Sequence, residues 1–116
     1  MQDFRNLKVW QKAHELTLLI YKLTLDFPRE ELFGLRNSLR KTSVDIPAFI
    51  AEGCGKPNDS EFSKSLFIAL GFANRLEYYA LLAFDLEMFA KADYEIILAE
   101  INEVKKMLYG FNQRLR

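Results

Sequence analysis

Apolar residues recur at steps of three and four along most of the chain, which is the period of an α-helix. The pattern is interrupted at Pro28, in the glycine- and proline-containing stretch 53–57, and again before Asp93, so it divides into four segments. Runs that alternate apolar and polar residues between hairpin turns, as strands do, are not found. We therefore predict an all-α protein, an antiparallel up-down-up-down four-helix bundle that occupies residues 1–116 as a single domain.

The predicted helices span about 3–25, 29–52, 58–89 and 93 to the C-terminus. Three of them begin with a residue whose side chain accepts hydrogen bonds from the first free amide groups of a helix. We expect Asp3 and Asp93 to cap the first and fourth helices, and the run Asn58-Asp59-Ser60-Glu61 to supply the cap of the third.

The second predicted helix contains a proline, Pro47, between two apolar runs at helical spacing. A proline inside a helix removes a backbone hydrogen bond and bends the helix, at a cost of about 3 kcal/mol or more. The bend is expected to wrap the helix around its neighbours. The carbonyl of Ser43 loses its donor, and we predict that the Thr42 or Ser43 side chain, or a water, replaces it. The helix is expected to stop at Gly53.

The third predicted helix is apolar around most of its circumference. One stripe recurs at alternating steps of four and three and consists of Phe62, Leu66, Ala69, Ala73, Leu76, Ala80 and Ala83. A second stripe, about 100° away on a helical projection, consists of Ile68, Phe72, Tyr79, Leu82 and Leu86. Because three partner helices cover only one side of such a helix, the second stripe predicts contact with another chain. We assign its five residues to the interface of a homo-oligomer.

Charge and cysteine content narrow the class of protein. The 16 basic and 16 acidic residues cancel, which excludes a strongly basic RNA-binding module but not a local basic patch. A single cysteine cannot form an internal disulfide, as is usual in a reducing cytosol. The N-terminus lacks a signal-peptide pattern, and no apolar run reaches the roughly 18 residues of a membrane span. We expect a cytoplasmic protein without a membrane partner.

A basic stretch in the second helix is the candidate binding site. Arg36, Arg40 and Lys41 occur without an acidic residue between Leu32 and Val44, and the two arginines lie one helical turn apart. Lys56 and Lys64 lie beyond the next bend and could join them in space. These five residues are the predicted phosphate-binding set for RNA or DNA. The alternative is a solvated helix face balanced by acids of the third helix or of a neighbouring subunit.

No catalytic residue, metal site or cofactor is predicted. His14 is the only histidine, and the Glu-x-x-His pairs of di-iron bundles are missing. Cys54 lies between two glycines, and nothing in the sequence positions a general base beside it. Acids on the apolar helices are expected to form interhelical ion pairs, Glu52 and Glu77 with Arg40 or Arg75.

Seven short motifs follow one another along the chain: FRNLKVWQKAHEL at 4–16, FGLR at 33–36, SVDIPA at 43–48, IAEG at 50–53, EF at 61–62, ALG at 69–71 and LEY at 76–78. In these motifs the chain resembles the small bacterial four-helix-bundle proteins of the 23S ribosomal RNA intervening-sequence family. The family motif has asparagine at the position of Phe49, so a polar contact there is expected to be lost or replaced by packing.

The resemblance implies a left-handed antiparallel bundle that assembles into a homo-oligomer, usually a ring-shaped pentamer. Similar proteins, the accessory proteins of diversity-generating retroelements, bind nucleic acid and a reverse transcriptase through a basic surface. The near-neutral charge of this chain departs from that strongly basic subgroup. The function expected is that of a non-enzymatic, homo-oligomeric RNA, nucleic-acid or ribonucleoprotein accessory. A protein–protein interaction scaffold that binds no nucleic acid is the alternative.

Overall fold

The computed structural model describes residues 2–115, which form four α-helices: α1 Lys8–Leu23, α2 Leu35–Cys54, α3 Asp59–Asp85 and α4 Lys91–Arg114. Short 3₁₀ helices at Phe4–Asn6 and Arg29–Glu31 precede α1 and α2. No strand occurs within these residues. The predicted all-α fold is confirmed.

Contacts between neighbouring helices run in opposite directions along the chain. As the residue numbers along α3 rise, the residue numbers of their partners on α4 fall. Ser63 bonds to Asn112, Glu77 pairs with Lys105, and the Phe84 ring stacks on Tyr94. The contacts of α1 with α2 follow the same reversed order, and α4 also packs against α1. The predicted antiparallel four-helix bundle is therefore confirmed, as a rod of 44 × 23 × 20 Å.

The first of the two apolar stripes predicted for α3 belongs to the core. The first stripe of α3 is buried along its whole length, from Phe62 to Ala83. On α4 the buried apolar residues are Ile97, Ile101, Val104 and Leu108. Four of the seven residues in the α3 stripe are alanines, and these short side chains let the larger residues of the other helices approach the α3 backbone.

The starts of the first three helices agree only partly with prediction. The carboxylate of Asp3 accepts the Arg5 amide and caps the first 3₁₀ helix, whereas α1 begins later, after Leu7. Asn58, the first residue of the predicted capping run, caps α3 by accepting the Glu61 amide. The start of α2 at residue 29 is wrong. The chain there forms a 3₁₀ helix and a turn, and the carboxylate of Glu31 accepts the Leu35 amide at 2.8 Å.

The connection from α3 to α4 also differs from prediction. α3 ends at Asp85 rather than near residue 89, because Glu87 adopts a left-handed conformation with φ of 62°. The amide of Met88 then bonds to the Ala83 carbonyl at 2.8 Å, which is the Schellman pattern of helix ends. Ala90 is the N-cap of α4, so the prediction that Asp93 caps this helix is wrong. Asp93 lies in the first turn, where a negative charge favours the helix.

The proline of α2 is accommodated by a bond to the neighbouring helix. α2 continues through buried Pro47, and the Thr17 hydroxyl of α1 donates to the Ser43 carbonyl at 2.8 Å. The predicted local donors do not fill this role, since the Ser43 hydroxyl donates to the Arg40 carbonyl instead. A donor from another helix was not anticipated, because nothing in the local sequence identifies Thr17 as the partner.

Gly53 does not end α2 but permits the helix to pack closely. The helix extends to Cys54, and Gly55 is its C-cap. A Cβ atom at Gly53 would lie 2.7 Å from the Phe62 ring and 2.9 Å from Ser65. The absence of a side chain therefore lets the end of α2 approach the start of α3.

One face of α3 and the connection between α1 and α2 leave apolar side chains in water. Phe33, in the connection, is 90% exposed.

By length and composition alone α3 could cross a bilayer, contrary to the expectation from apolar runs. Its buried stripe packs against α2 and α4, as in the core helix of a helical bundle, and such helices meet the same criterion.

Candidate nucleic-acid interface

Three residues of the predicted phosphate-binding set line one open groove between α1 and α2. The groove has a volume of about 460 Å³, and Arg36, Arg40 and Lys41 form its basic side. We call it the α1–α2 groove; it is also lined by Tyr21, Leu32, Asn37, Val44 and Asp45. Sequence reasoning missed Tyr21 and Asn37. Tyr21 belongs to α1, and only the tertiary fold brings it to the basic stretch.

Arg40 is held against the C-terminal end of α1. Its Nε donates to the Thr24 hydroxyl at 2.9 Å, an Nη donates to the Tyr21 carbonyl at 3.0 Å, and the guanidinium lies 4.6 Å from the Tyr21 ring centroid. A cation favours the C-terminal end of a helix, where carbonyl groups lack helical partners. Arg40 therefore joins α1 to α2 as well as contributing charge to the groove.

The positive charges of the groove are not matched by ion pairs. Burial lowers the pKa of the Arg40 guanidinium, and the nearby charge of Arg36 lowers it further. Among residues 2–115, no carboxylate lies within 4.0 Å of Arg36, Arg40 or Lys41, although Asp45 belongs to the groove wall. The Nε of Arg36 is buried and has no hydrogen-bond partner in the same part of the chain. An anion between these side chains would relieve their repulsion.

Lys56 and Lys64 do not join the groove. α2 contains 20 residues, so at 1.5 Å per residue its two ends lie about 30 Å apart. Arg36 lies in the first turn of α2, and Lys56 lies two residues beyond its last residue, Cys54. The amine of Lys64 forms an ion pair with Glu61 at 3.1 Å. The predicted set is thus divided between opposite ends of the bundle.

The predicted pairing of acids with Arg40 or Arg75 is wrong. The Glu77 carboxylate accepts from Lys105 of α4 at 2.8 Å, and both side chains are partly exposed. Arg75 lies over the Phe72 ring, 5.1 Å from its centroid. Glu52 is exposed. Glu77 therefore does form an interhelical ion pair, but with a cation other than the two that were predicted.

The predicted oligomer interface lies on the outer side of α3. Two of its residues are largely exposed, Ile68 at 45% and Leu86 at 54%, while Phe72, Tyr79 and Leu82 are half-buried. More exposed apolar side chains lie beside them on the same helix: Phe67, Tyr78 and Leu81. Phe72 also stacks on Phe49 of α2 at 5.4 Å between ring centroids, so Phe49 is used for packing.

Gly71 lies in the middle of this outer face of α3. A Cβ atom there would meet nothing within 4 Å, so packing within the chain gives no reason for a glycine. Glycine in a helix interior costs roughly 0.5–1 kcal/mol relative to alanine. A flat position of this kind would allow a second backbone to approach.

His14 and Cys54, the two residues considered as catalytic or metal-binding candidates, are stacked on a neighbouring ring and buried, respectively. The His14 ring stacks on Trp10 at 4.9 Å. Cys54 is buried, and that burial raises the pKa of its thiol, which keeps the sulfur in its less reactive neutral form. Across residues 2–115, no cluster of three or more histidine, cysteine or acidic side chains could hold a metal ion.

Residues 5–110 match the family model described as the 23S rRNA-intervening sequence protein. The chain belongs to this family. The resemblance found in the sequence motifs is thereby confirmed, and the match includes the α1–α2 groove and the outer face of α3. Among curated proteins, none matches the chain.

The fold of this family member is similar to that of a solved structure. A protein of unknown function from the S23 ribosomal protein family of Bacteroides thetaiotaomicron VPI-5482 aligns with a TM-score of 0.82 and 24% identity. The alignment covers 90% of this chain and 95% of that chain. At this level of identity the similarity supports the fold alone.

Proposed function

We propose that this family member is a non-enzymatic, cytoplasmic, homo-oligomeric accessory protein that binds RNA through the α1–α2 groove. The observation that carries the proposal is the grouping of Arg36, Arg40 and Lys41 without an ion-pair partner among residues 2–115. Phosphate groups are the anions that such surfaces bind in nucleic acids. The family description, which refers to 23S rRNA, favours RNA over DNA as the ligand.

The non-enzymatic part of the proposal rests on where the reactive side chains lie. His14 is stacked on Trp10, and Cys54 is buried with a raised pKa. They are on different helices, and neither lines the α1–α2 groove. A nucleophile and its base must lie within hydrogen-bond distance of one another to act together.

RNA binding is tested by fluorescence anisotropy with a labelled single-stranded RNA at several salt concentrations. We expect affinity to fall steeply between about 50 and 200 mM salt. The informative variant is R36Q/K41Q, which removes two charges but spares Arg40, because Arg40 also joins α1 to α2. Each lost phosphate contact is expected to reduce the salt slope by about 1.

The matched control is K56Q/K64Q, which removes the same charge from the opposite end of the bundle. The proposal predicts a much larger loss of affinity for R36Q/K41Q than for K56Q/K64Q. Equal losses would show that binding depends on overall charge rather than on the groove. Absence of binding by the wild-type protein at low salt would refute the RNA-binding function.

The homo-oligomeric part of the proposal rests on the outer face of α3. Its exposed apolar side chains and the open position at Gly71 suit contact with a second copy, and a ring-shaped pentamer is the form we propose. Light scattering measures the mass directly. The variant I68E/L86E is expected to dissociate the assembly, whereas L18E/L25E, which alters exposed leucines away from α3, is expected to leave it unchanged. A wild-type monomer at high concentration would refute this part.

A protein–protein scaffold remains the second candidate because the same face could contact a different protein. Tyr78 and Leu81 are exposed beside the predicted interface, and exposed apolar patches often mark protein contacts. Pull-down from native lysate before and after nuclease treatment separates the two functions. Partners that survive nuclease favour the scaffold, and partners that depend on RNA favour the accessory role.

A further inference from the structure

A second basic cavity lies at the opposite end of the bundle, where the last turns of α4 lie against the start of α1. Lys8 from α1, with Lys106 and Arg114 from α4, line this α1–α4 cleft. Its volume is about 580 Å³, and like the α1–α2 groove it is open to solvent. The basic residues are far apart in sequence, so no single stretch of the chain shows them as a group.

The charges of the α1–α4 cleft are uncompensated, unlike those of the adjacent surface. Among residues 2–115, Lys8, Lys106 and Arg114 form no ion pair within 4.0 Å, and no residue lining the cleft carries a side-chain carboxylate. Elsewhere on the same helices, Lys12 pairs with Glu100 at 3.0 Å and Lys105 with Glu77 at 2.8 Å. The cleft thus brings together three cations from two helices with no acidic side chain in its lining, which favours an anionic ligand.

The walls of the cleft provide an apolar surface next to the charges. Phe111 is held edge-to-face by Phe62, with ring centroids 5.4 Å apart, and the Arg114 guanidinium lies 5.6 Å from the Phe111 centroid. The amide side chains of Gln2 and Asn6 also line the cavity and provide both donors and acceptors. This combination suits a ligand with a phosphate group and a flat aromatic ring.

Gly110 lies on the cleft wall at a position where the fold does not require a glycine. A Cβ atom there would meet only the Arg114 Nη1, at 3.8 Å, which is an ordinary contact. Bundle packing therefore tolerates alanine, although glycine costs roughly 0.5–1 kcal/mol relative to alanine in a helix. The glycine therefore serves no packing role in α4, and it keeps this part of the cleft wall flat.

We propose that the α1–α4 cleft binds a nucleotide. The phosphate lies among Lys8, Lys106 and Arg114, the base lies against Phe111, and the amides of Gln2 and Asn6 reach the edge of the base. The nucleotide is either free or an unpaired residue of a nucleic-acid strand, since both present the same chemistry. The site is separate from the α1–α2 groove and does not depend on it.

Calorimetry with AMP and with adenosine tests the site in the wild-type protein. We expect AMP to bind at least about tenfold more tightly than adenosine, because the charge-assisted contacts are made to the phosphate. Equal binding of adenosine and AMP, or no binding of AMP, would overturn the proposal. Single-stranded oligoadenylate identifies the source: displacement of AMP by the oligonucleotide indicates a strand, and AMP binding that it does not displace indicates a free nucleotide.

Substitutions inside and outside the α1–α4 cleft test where AMP binds. K106Q/R114Q is expected to weaken AMP binding at least about tenfold, whereas K22Q/K91Q, with the same charge change outside the cleft, is expected to leave it unchanged. G110L projects a bulky side chain into the cleft beside Phe111 and should weaken binding, while G110A keeps most of the space and should retain it. Equal loss in K22Q/K91Q, or full affinity in G110L, would contradict the assignment.

The test also separates this site from the proposed RNA groove. The variant R36Q/K41Q is expected to lose affinity for RNA but to keep wild-type affinity for AMP. A parallel loss of AMP binding in that variant would show that AMP occupies the α1–α2 groove instead, which overturns the cleft as the nucleotide site.

Discussion

The Thr17 hydroxyl on α1 donates a 2.8 Å hydrogen bond to the main-chain carbonyl of Ser43 on α2. Ser43 precedes Pro47 by four residues. Because proline has no N–H, the Ser43 carbonyl has no helical donor from which to accept a hydrogen bond. Both Thr17 and Ser43 are buried, and water does not readily replace the bond. The interior proline of α2 is therefore compensated by a side chain of a different helix.

Replacing Thr17 by valine should destabilise the protein by about 1–3 kcal/mol, because a buried carbonyl loses its donor while the side-chain volume stays similar. Chemical denaturation measures the change in the free energy of unfolding. The same substitution should cost less in a P47A background, where the amide of residue 47 can donate to Ser43. Equal costs in both backgrounds would show that the Thr17 bond does not compensate for the proline.

Alanine at Gly53 should destabilise the bundle by about 1–3 kcal/mol, because its Cβ would overlap the Phe62 ring and Ser65. Gly55 provides the matched control two residues later, since a Cβ there would lie 3.5 Å from the Glu52 carbonyl and no closer to any other group. G55A should change the free energy of unfolding by less than about 0.5 kcal/mol. Similar losses in both variants would contradict the close-packing role of Gly53.

Glycine at Glu87 should stabilise the protein by about 0.5–1 kcal/mol, because residue 87 has a left-handed conformation that disfavours any side chain. Thermal unfolding followed by circular dichroism should show a higher Tm. The control E87A removes the same carboxylate but keeps a Cβ atom, so it should give little or none of this gain. A gain in E87A equal to that in E87G would assign the effect to charge at the helix end instead.

Alanine at Gly71 should have opposite effects on the single bundle and on its assembly. Within one chain it should stabilise α3 by roughly 0.5–1 kcal/mol, since the added methyl group meets nothing within 4 Å. In an oligomer whose subunits meet at the outer face of α3, that methyl group should obstruct the contact and promote dissociation on dilution. Light scattering across a dilution series checks this, with G110A as the control. An unchanged dissociation profile for G71A would place the subunit contact elsewhere.

The fold was largely predictable because the helical period of the apolar residues persists through all four segments. The misplaced helix boundaries have local conformational causes that the residue types do not reveal. Glu87 occupies a left-handed position where glycine would be expected, so no signal marked the end of α3. Gly34 and the capping carboxylate of Glu31 delay the start of α2, although the residues before them are compatible with a helix.

The site was less predictable because it depends on contacts between helices. Proximity in sequence correctly grouped Arg36, Arg40 and Lys41 but could not show that Lys56 lies at the far end of the same helix. The bonds of Arg40 to Thr24 and Tyr21 require the actual packing of α1 on α2. The α1–α4 cleft escaped notice for the same reason, since Lys8 and Arg114 come from opposite ends of the chain.

Cys54 is the only cysteine in the sequence, and its thiol is buried with a raised pKa. A cysteine introduced at position 33 would therefore be the one thiol in contact with water, because Phe33 lies in the connection between α1 and α2 and is 90% exposed. Leu32, the preceding residue, lines the α1–α2 groove. A maleimide dye would attach there selectively, and its fluorescence would report directly when the neighbouring groove is occupied.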